Sequence, residues 1–436
     1  MIDGLRNALK LPDLRRKLLY TILLLVIFRL ASNIPVPGVD RVALQEMLSG
    51  GGGVSQLFNL LDLLSGGAIA NFSVLAAGVY PYVTASIVLQ LLLPIFPKLE
   101  QMIKEDGEAG QRKMNQWTFY LTVPLAALQA FGQIRGITYA SGGQDILPNF
   151  GFGPGQVLST ITILITMTAG TMFAVWLGEL ITEQGVGNGL SLIIFGGIVS
   201  RVPQNLGQIW ATDHIVGVLI FLVITTLTML FIIYVQEGER RIKVQYGKRV
   251  RGMKVYGGGS TYIPLKVNTA GMIPLIFAQS ILLFPAVLAQ FFMGSSSQGI
   301  RDFAGMLTNF FGGSTPWYAP LYFLTVVGFT YFYTDVMVQQ QNLPEMLQKQ
   351  GGFIPGVRPG QKTRDYINNL YRRITLAGAL FLGLIAVLPY IVGLFMRTNV
   401  MLVTSSGLLI VVGTVVDTMR QMEAQLLMRH YEGFLQ

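Results

Sequence analysis

The sequence predicts an all-α polytopic membrane protein with ten membrane-spanning helices. Three observations predict it. Apolar residues make up 52% of the 436 positions and charged residues only 12%, a balance outside the range of water-soluble domains. Apolar runs of about 20 residues, enough to cross a hydrocarbon core of roughly 30 Å, recur along the chain. Between those runs the cations are unevenly shared, with 25 of 31 Lys and Arg falling in alternate connections.

The first run follows a polar, basic start (Met1–Lys17) and lacks a small-residue cleavage site, so it is read as a retained span at 18–34. The others are read at 73–95, 115–135, 155–177, 189–202, 215–235, 268–293, 317–336, 374–396 and 400–417. The fifth is short. Pro81, Pro124, Pro274, Pro285 and Pro389 fall within spans, where a missing N–H and a ring clash kink a helix. Kinked helices suit a structure that encloses something.

Before the second span lies a shorter apolar segment, about 57–69. Leu57, Leu60, Leu61 and Leu64 sit at helical spacing, Asp62 interrupts them, and Gly66-Gly67 ends the run. Too short to cross a bilayer, it fits a re-entrant half-helix, which survives at membrane depth only where protein or a water-filled cavity surrounds it. An amphipathic helix on the membrane surface fits the same pattern equally well.

Cation placement orients the chain. The amino end carries five cations, and the second-to-third connection four (Lys98, Lys104, Arg112, Lys113). The sixth-to-seventh carries eight (Arg240, Arg241, Lys243, Lys248, Arg249, Arg251, Lys254, Lys266), the eighth-to-ninth six, and the carboxyl tail two. The opposite side holds Arg29, Arg41, Arg135, Arg201, Arg301 and Arg397. The positive-inside rule then puts both termini in the cytoplasm, as an even number of spans requires. Outer connections such as 49–53, 140–145 and 294–299 are Gly-, Ser- and Asn-rich and read as plain loops.

The two long basic connections differ. In 236–266, alternation at Ile242, Val244, Tyr246 and Val250 predicts a β-hairpin turning near Gly247-Lys248. In 338–373 a helical start leads to a Gly/Pro-braced tip at 351–360. Positive charge beside a membrane also fixes topology and attracts anionic lipid. Structured extensions of this length point beyond that, to a large partner.

Catalysis finds no footing. The chain has no cysteine, which excludes disulfides and thiolate chemistry, and its two histidines, His214 and His430, are far apart in sequence. The stretch Glu183–Gly189 (EQGVGNG) lacks the strand and the Lys-Ser/Thr of a phosphate-binding loop and is read as a tight turn capping the fifth span. Spans two, three, four, six, seven, nine and ten carry no Asp, Glu, Lys, Arg or His short of their ends. Ion-coupled carriers normally keep such a group at mid-depth. What remains is a conduit with an apolar waist, closed by packing and dewetting. The alternative is a secondary transporter of a small uncharged or zwitterionic solute.

Several stretches carry a specific resemblance: IPVPGVD (34–40), FNLLDLLSGGAIANFSVLAAGVYPYVTASI (58–87), ITEQGVGNGLSLIIF (181–195), NTAGMIPLIFAQSILLFP (268–285), GGFIPGVRPGQKT (351–363) and TSSGLLIVVGTVVD (404–417). Over essentially its full length the chain resembles the SecY family, channel subunits of the bacterial Sec protein translocon. The resemblance implies two inverted five-helix halves, 1–202 and 203–436, around a central hourglass pore in the cytoplasmic membrane. The half-helix at 57–69 is then a re-entrant plug, and spans two and seven flank a lateral gate for signal sequences and transmembrane segments. Position by position, the pore ring is Val79, Val83, Leu190, Ile194, Ile276 and Ile410. The family usually places isoleucine there, so Val79, Val83 and Leu190 depart from its pattern. Arg358 matches an arginine needed for motor-driven transport, and Arg240, Arg241, Lys248, Arg249 and Arg251 fall in the loop that contacts ribosomal RNA. Implied partners are SecE, SecG, the SecA ATPase, the ribosome, unfolded precursor chains and membrane lipid. No cofactor or metal is implied, and energy comes from SecA or the ribosome.

Overall fold

The computed structural model describes residues 11–40, 68, 69, 72–93, 96, 99, 102, 107–140, 147, 150, 151, 153, 156–246, 248–251, 254–257, 259–293, 297–312, 315–341, 343–395 and 405–432. The plug positions Leu57, Leu60, Leu61, Asp62, Leu64, Gly66 and Gly67 lie outside the described residues.

Most predicted spans are helices close to their expected places: α1 (Pro12–Ala31), α2 (Tyr80–Leu92), α3 (Glu108–Ala140), α4 (Val157–Gln184) and α5 (Gly189–Glu237). After them come α6 (Ile273–Phe292), α7 (Gln298–Phe311), α8 (Tyr318–Gln341), α9 (Leu343–Lys349), α10 (Gln361–Phe395) and α11 (Ser405–Glu432). The fifth and sixth spans run together as α5, broken at His214, whose φ of 54° and ψ of −150° leave helical space. By length and composition, four described stretches can cross a membrane outright: Val157–Gln184, His214–Glu237, Tyr318–Lys349 and Gln361–Ile391.

Membrane helices must satisfy their hydroxyls locally, because the hydrocarbon offers no partners. Here threonines donate to the carbonyl one turn back: Thr162 to Leu158, Thr166 to Thr162 and Thr168 to Leu164 on α4, and Thr325 to Leu321 and Thr330 to Val326 on α8. At the end of α3, the Arg135 guanidinium lies 5.5 Å from the Phe131 ring and 5.9 Å from Phe150. The rings cover the cation where the chain leaves the membrane.

Four readings need correction. Pro81 and Pro274 do not kink helices. Each lies in the first turn of one, where its missing N–H is already unneeded, because residues 74–79 and 267–272 are turns and bends. Only Pro124, Pro285 and Pro389 of the five are helix-internal. The connection after span seven is no plain loop, since it holds α7, whose Ala304 and Thr308 are buried. The helix of span nine starts at Gln361, well before the apolar run, and α11 continues past Asp417 to Glu432.

The fourth correction concerns the basic loops. β1 (Glu239–Tyr246) does not fold back on the strand after it. It pairs antiparallel with β4 (Ser260–Lys266), from Glu239 opposite Lys266 to Gln245 opposite Ser260. β2 (Lys248–Arg251) and β3 (Lys254–Gly257) form a separate two-stranded tip, so the reversal falls after Arg251 instead of near Gly247-Lys248. On its other edge β1 takes β5 (Gly352–Phe353), giving a three-stranded sheet in the order β4-β1-β5. A strand from one basic connection is thereby paired with the other.

The chain forms two compact units. One comprises 1–219, 280–319 and 402–436, and the other 220–279 and 320–401. The first holds a core of Val36, Ile69, Phe72, Ala76, Tyr80, Ala130, Ile134, Leu147, Ile163, Met167, Leu283 and Ala286. The second holds the sheet, packed on α9 and the start of α10.

Candidate functional site

Within the first unit, the end of the plug range is tied down. Ala68 and Ile69 are wholly buried. Ser73 N–H donates to Ala68 and Phe72 N–H to Ile69, while Val36 N–H donates to Phe72 and Val74 N–H to Ile34. The IPVPGVD stretch thus clamps the chain where it enters span two. Phe72 sits at φ 41°, an unusual conformation for a non-glycine residue, held there by its place in the core. A Cβ on Gly170 of α4 would collide with the Val74 carbonyl, so α4 presses directly on this anchor.

Spans two and seven enter their helices alike. Gly78-Val-Tyr-Pro81 and Gly271-Met-Ile-Pro274 share a Gly-x-x-Pro pattern, and both glycines have positive φ, 55° and 66°. Glycine takes that conformation without a Cβ penalty. Two ring residues occupy the same place in this pattern, five residues after the glycine: Val83 and Ile276, both half-buried. Val79 immediately precedes α2 and is 2% exposed.

The two elements also meet. The Tyr80 hydroxyl donates to the Ser280 carbonyl at 3.1 Å, and Leu283 and Ala286 of α6 share the core with Tyr80. Any separation of spans two and seven at this level must break this bond.

The fifth-span turn at 185–188 does cap its helix. Asn188 Oδ1 accepts from Ser191 N–H at 3.1 Å, and Thr182 Oγ1 accepts from Gly189 N–H at 2.9 Å. Val186 N–H donates to Thr21 Oγ1 of α1 at 3.2 Å, and a Cβ on Gly187 would meet Thr418 of α11 at 2.7 Å. Small residues bring α4 and α5 close: a Cβ at Gly178 would meet Leu190 Cδ2 at 2.8 Å. Of the remaining ring positions, Leu190 is half-buried against Gly178, and Ile194 and Ile410 are buried at 4% and 1% exposure. Five ring residues belong to the first unit and Ile276 to the second.

The residues expected to dock a partner lie on β1, on β2 and on the loop tip that follows β5. Ile242, Val244, Leu265, Leu347, Ile354, Ile367, Leu370 and Tyr371 form one core, drawing β1, β4, α9, the loop tip and α10 into a single body. Alternation along β1 turns Ile242 and Val244 inward and leaves Arg241 and Lys243 exposed, and Arg240, on the inward face, is exposed near the start of the strand. Arg241 pairs with Glu239 at 2.7 Å, which offsets part of its charge. Lys248, Arg249 and Arg251 are carried on β2. Arg358 is exposed on the Gly/Pro-braced tip, and its carbonyl accepts from Thr363 Oγ1 at 2.9 Å. Sequence reasoning found both loops but missed that they are one object. Pairing between residues over 100 positions apart leaves no local pattern.

A family model described as SecY matches residues 73–419. The chain belongs to the SecY family. It is 41% identical over 447 residues to the protein translocase subunit SecY of Streptomyces galbus, with all of both chains covered. It is 42% identical over 442 residues to that of Thermus thermophilus, covering all of this chain and 98% of the relative. Among solved structures it is similar to one described as a protein conducting channel, with TM-score 0.60 and 17% identity over 94% of this chain and 91% of the other. Sec61 in the canine ribosome-channel complex from the endoplasmic reticulum gives TM-score 0.59 at 17% identity and the same coverage. The fold is the all-α, ten-span fold of these channels, with a plug segment. The chain is a multi-pass membrane protein and a protein-conducting translocation channel.

Proposed function

We propose that the chain passes unfolded precursor proteins across the cytoplasmic membrane and releases transmembrane segments sideways into lipid, with both termini in the cytoplasm. It acts passively: SecA or the translating ribosome supplies the energy, and SecE and SecG complete the complex. In this reading the halves 1–202 and 203–436 surround the pore, and Val79, Val83, Leu190, Ile194, Ile276 and Ile410 form its aliphatic waist. Such side chains exclude water and ions while gripping no particular sequence. Segment 57–69 plugs the resting channel and hinges on the buried anchor at Ala68–Ile69. A signal sequence entering between spans two and seven binds the open state better than the closed one and so shifts the population.

One observation carries the reading beyond family membership: the two basic loops are fused by β1–β5 pairing and a common apolar core into one platform presenting Arg240, Lys243 and Arg358. A solute carrier has no use for such a platform. Proteoliposomes containing the purified complex decide the matter. Precursor entry that needs the motor and ATP is expected, and uptake of a small solute with neither motor nor precursor would contradict it.

A further inference from the structure

Between α8 and α10 lies a cavity of about 340 Å³, at the small end of the roughly 300–1,000 Å³ typical of ligand sites. On α10, Asn368, Tyr371, Arg372 and Thr375 line it at i, i+3, i+4 and i+7, one face of the helix. Facing them on α8 are Thr334 and Asp335. Thr334, Tyr371 and Thr375 are buried, whereas Asp335, Asn368 and Arg372 are exposed. The cavity thus has a hydroxyl-lined floor and a charged mouth bearing both signs.

Its depth identifies the ligand. Arg372 precedes the apolar run starting at Ile374 by two residues, and Asp335 lies near the end of the apolar part of α8. The mouth therefore stands at the hydrocarbon boundary on the side of the basic loops. Phe332 and Val338 supply apolar wall. Below Arg372, Leu376 and Leu380 continue down α10 at four-residue spacing, both largely exposed. A ligand filling this site carries an anion for a guanidinium, a cation for a carboxylate close by, and apolar chains to lie along leucines.

We propose that this cavity binds the headgroup of an aminophospholipid, with Arg372 on the phosphate and Asp335 on the primary ammonium. The planar guanidinium forms paired hydrogen bonds to phosphate oxygens, and the Asn368 amide adds a donor beside it. The Asp335 carboxylate accepts hydrogen bonds from the ammonium. A trimethylated choline headgroup has no N–H to offer that carboxylate, and an anionic glycerol headgroup brings no cation to it. The site therefore selects the primary amine. This inference needs only the position of the spans, so it stands apart from the conduit reading.

Native mass spectrometry of the full-length protein in mild detergent tests it, using phosphatidylethanolamine, phosphatidylcholine and phosphatidylglycerol of identical acyl chains. One ethanolamine lipid should be retained about tenfold better than the others, roughly 1.4 kcal/mol. Asp335→Asn should abolish that preference while phospholipid still binds. Arg372→Gln should weaken ethanolamine and choline lipids alike. Equal retention of the three headgroups by the unaltered protein, a comparison that needs no variant, would overturn the proposal. Displacement of the lipid by inorganic phosphate would also overturn it, making this a soluble-phosphate site.

Discussion

Tyr80 holds the second and seventh spans together through one hydroxyl. Removing it with Tyr80→Phe keeps the ring in the core and loses a bond worth about 1 kcal/mol, a roughly fivefold shift toward separation of the two elements. Precursors with weakened signal sequences should cross better through this variant in a reconstituted transport assay, and unchanged discrimination would remove Tyr80 from the gate. Gly170 makes the opposite kind of case. Its missing side chain lets α4 rest on the Val74 carbonyl, backbone that cannot swing aside. Gly170→Val should cost on the order of 1–3 kcal/mol through overpacking, seen as a lower thermal midpoint in detergent. Arg358 is exposed and outside the apolar core, so Arg358→Glu should cripple motor-driven transport while leaving that midpoint alone. Normal transport would deny it a docking role.

At the scale of elements, the sheet β4-β1-β5 is what turns two loops into one surface. Val244 is wholly buried at its centre. Val244→Asp should uncouple the loops at a cost of several kcal/mol, about what an unpaired buried carboxylate exacts, and should raise proteolytic cleavage in both 236–266 and 338–373. Cleavage in one loop alone would mean they fold independently. How far the elements were legible followed from the range of the forces that make them. Spans show in the sequence because hydrocarbon demands long apolar runs whatever lies beside them. The delayed starts of α2 and α6 have a sequence signal, the shared Gly-x-x-Pro, but a proline inside an apolar run reads as a kink until the turn before it is seen. Helix α7 escaped notice because Gly, Ser and Gln at its start signal a loop, while its buried face rests on small residues, Ala304 and Thr308. The strand pairing escaped because β5 is two residues long and has meaning only beside β1. Ring residues could not be chosen by periodicity, since apolar side chains facing a pore, a neighbour or lipid look alike in sequence; family resemblance alone picks them.

For the whole molecule, charge sorts the functions. Cations crowd alternate connections, and the interior of the spans is left nearly without them. Reversing Arg249 and Arg251 together should weaken ribosome binding and flatten its salt dependence, as expected when phosphate contacts are lost; an unchanged slope would assign those cations to lipid or topology. The chain contains no cysteine, which makes single introduced thiols unambiguous reporters of the conduit itself. A precursor carrying one cysteine, halted in mid-passage, should form disulfides with Val83→Cys, Ile194→Cys, Ile276→Cys and Ile410→Cys under mild oxidation, and not with Leu219→Cys or Leu227→Cys on the exposed face of α5. Disulfides at Leu219→Cys or Leu227→Cys with none at the other four would show that polypeptide does not travel through this apolar waist.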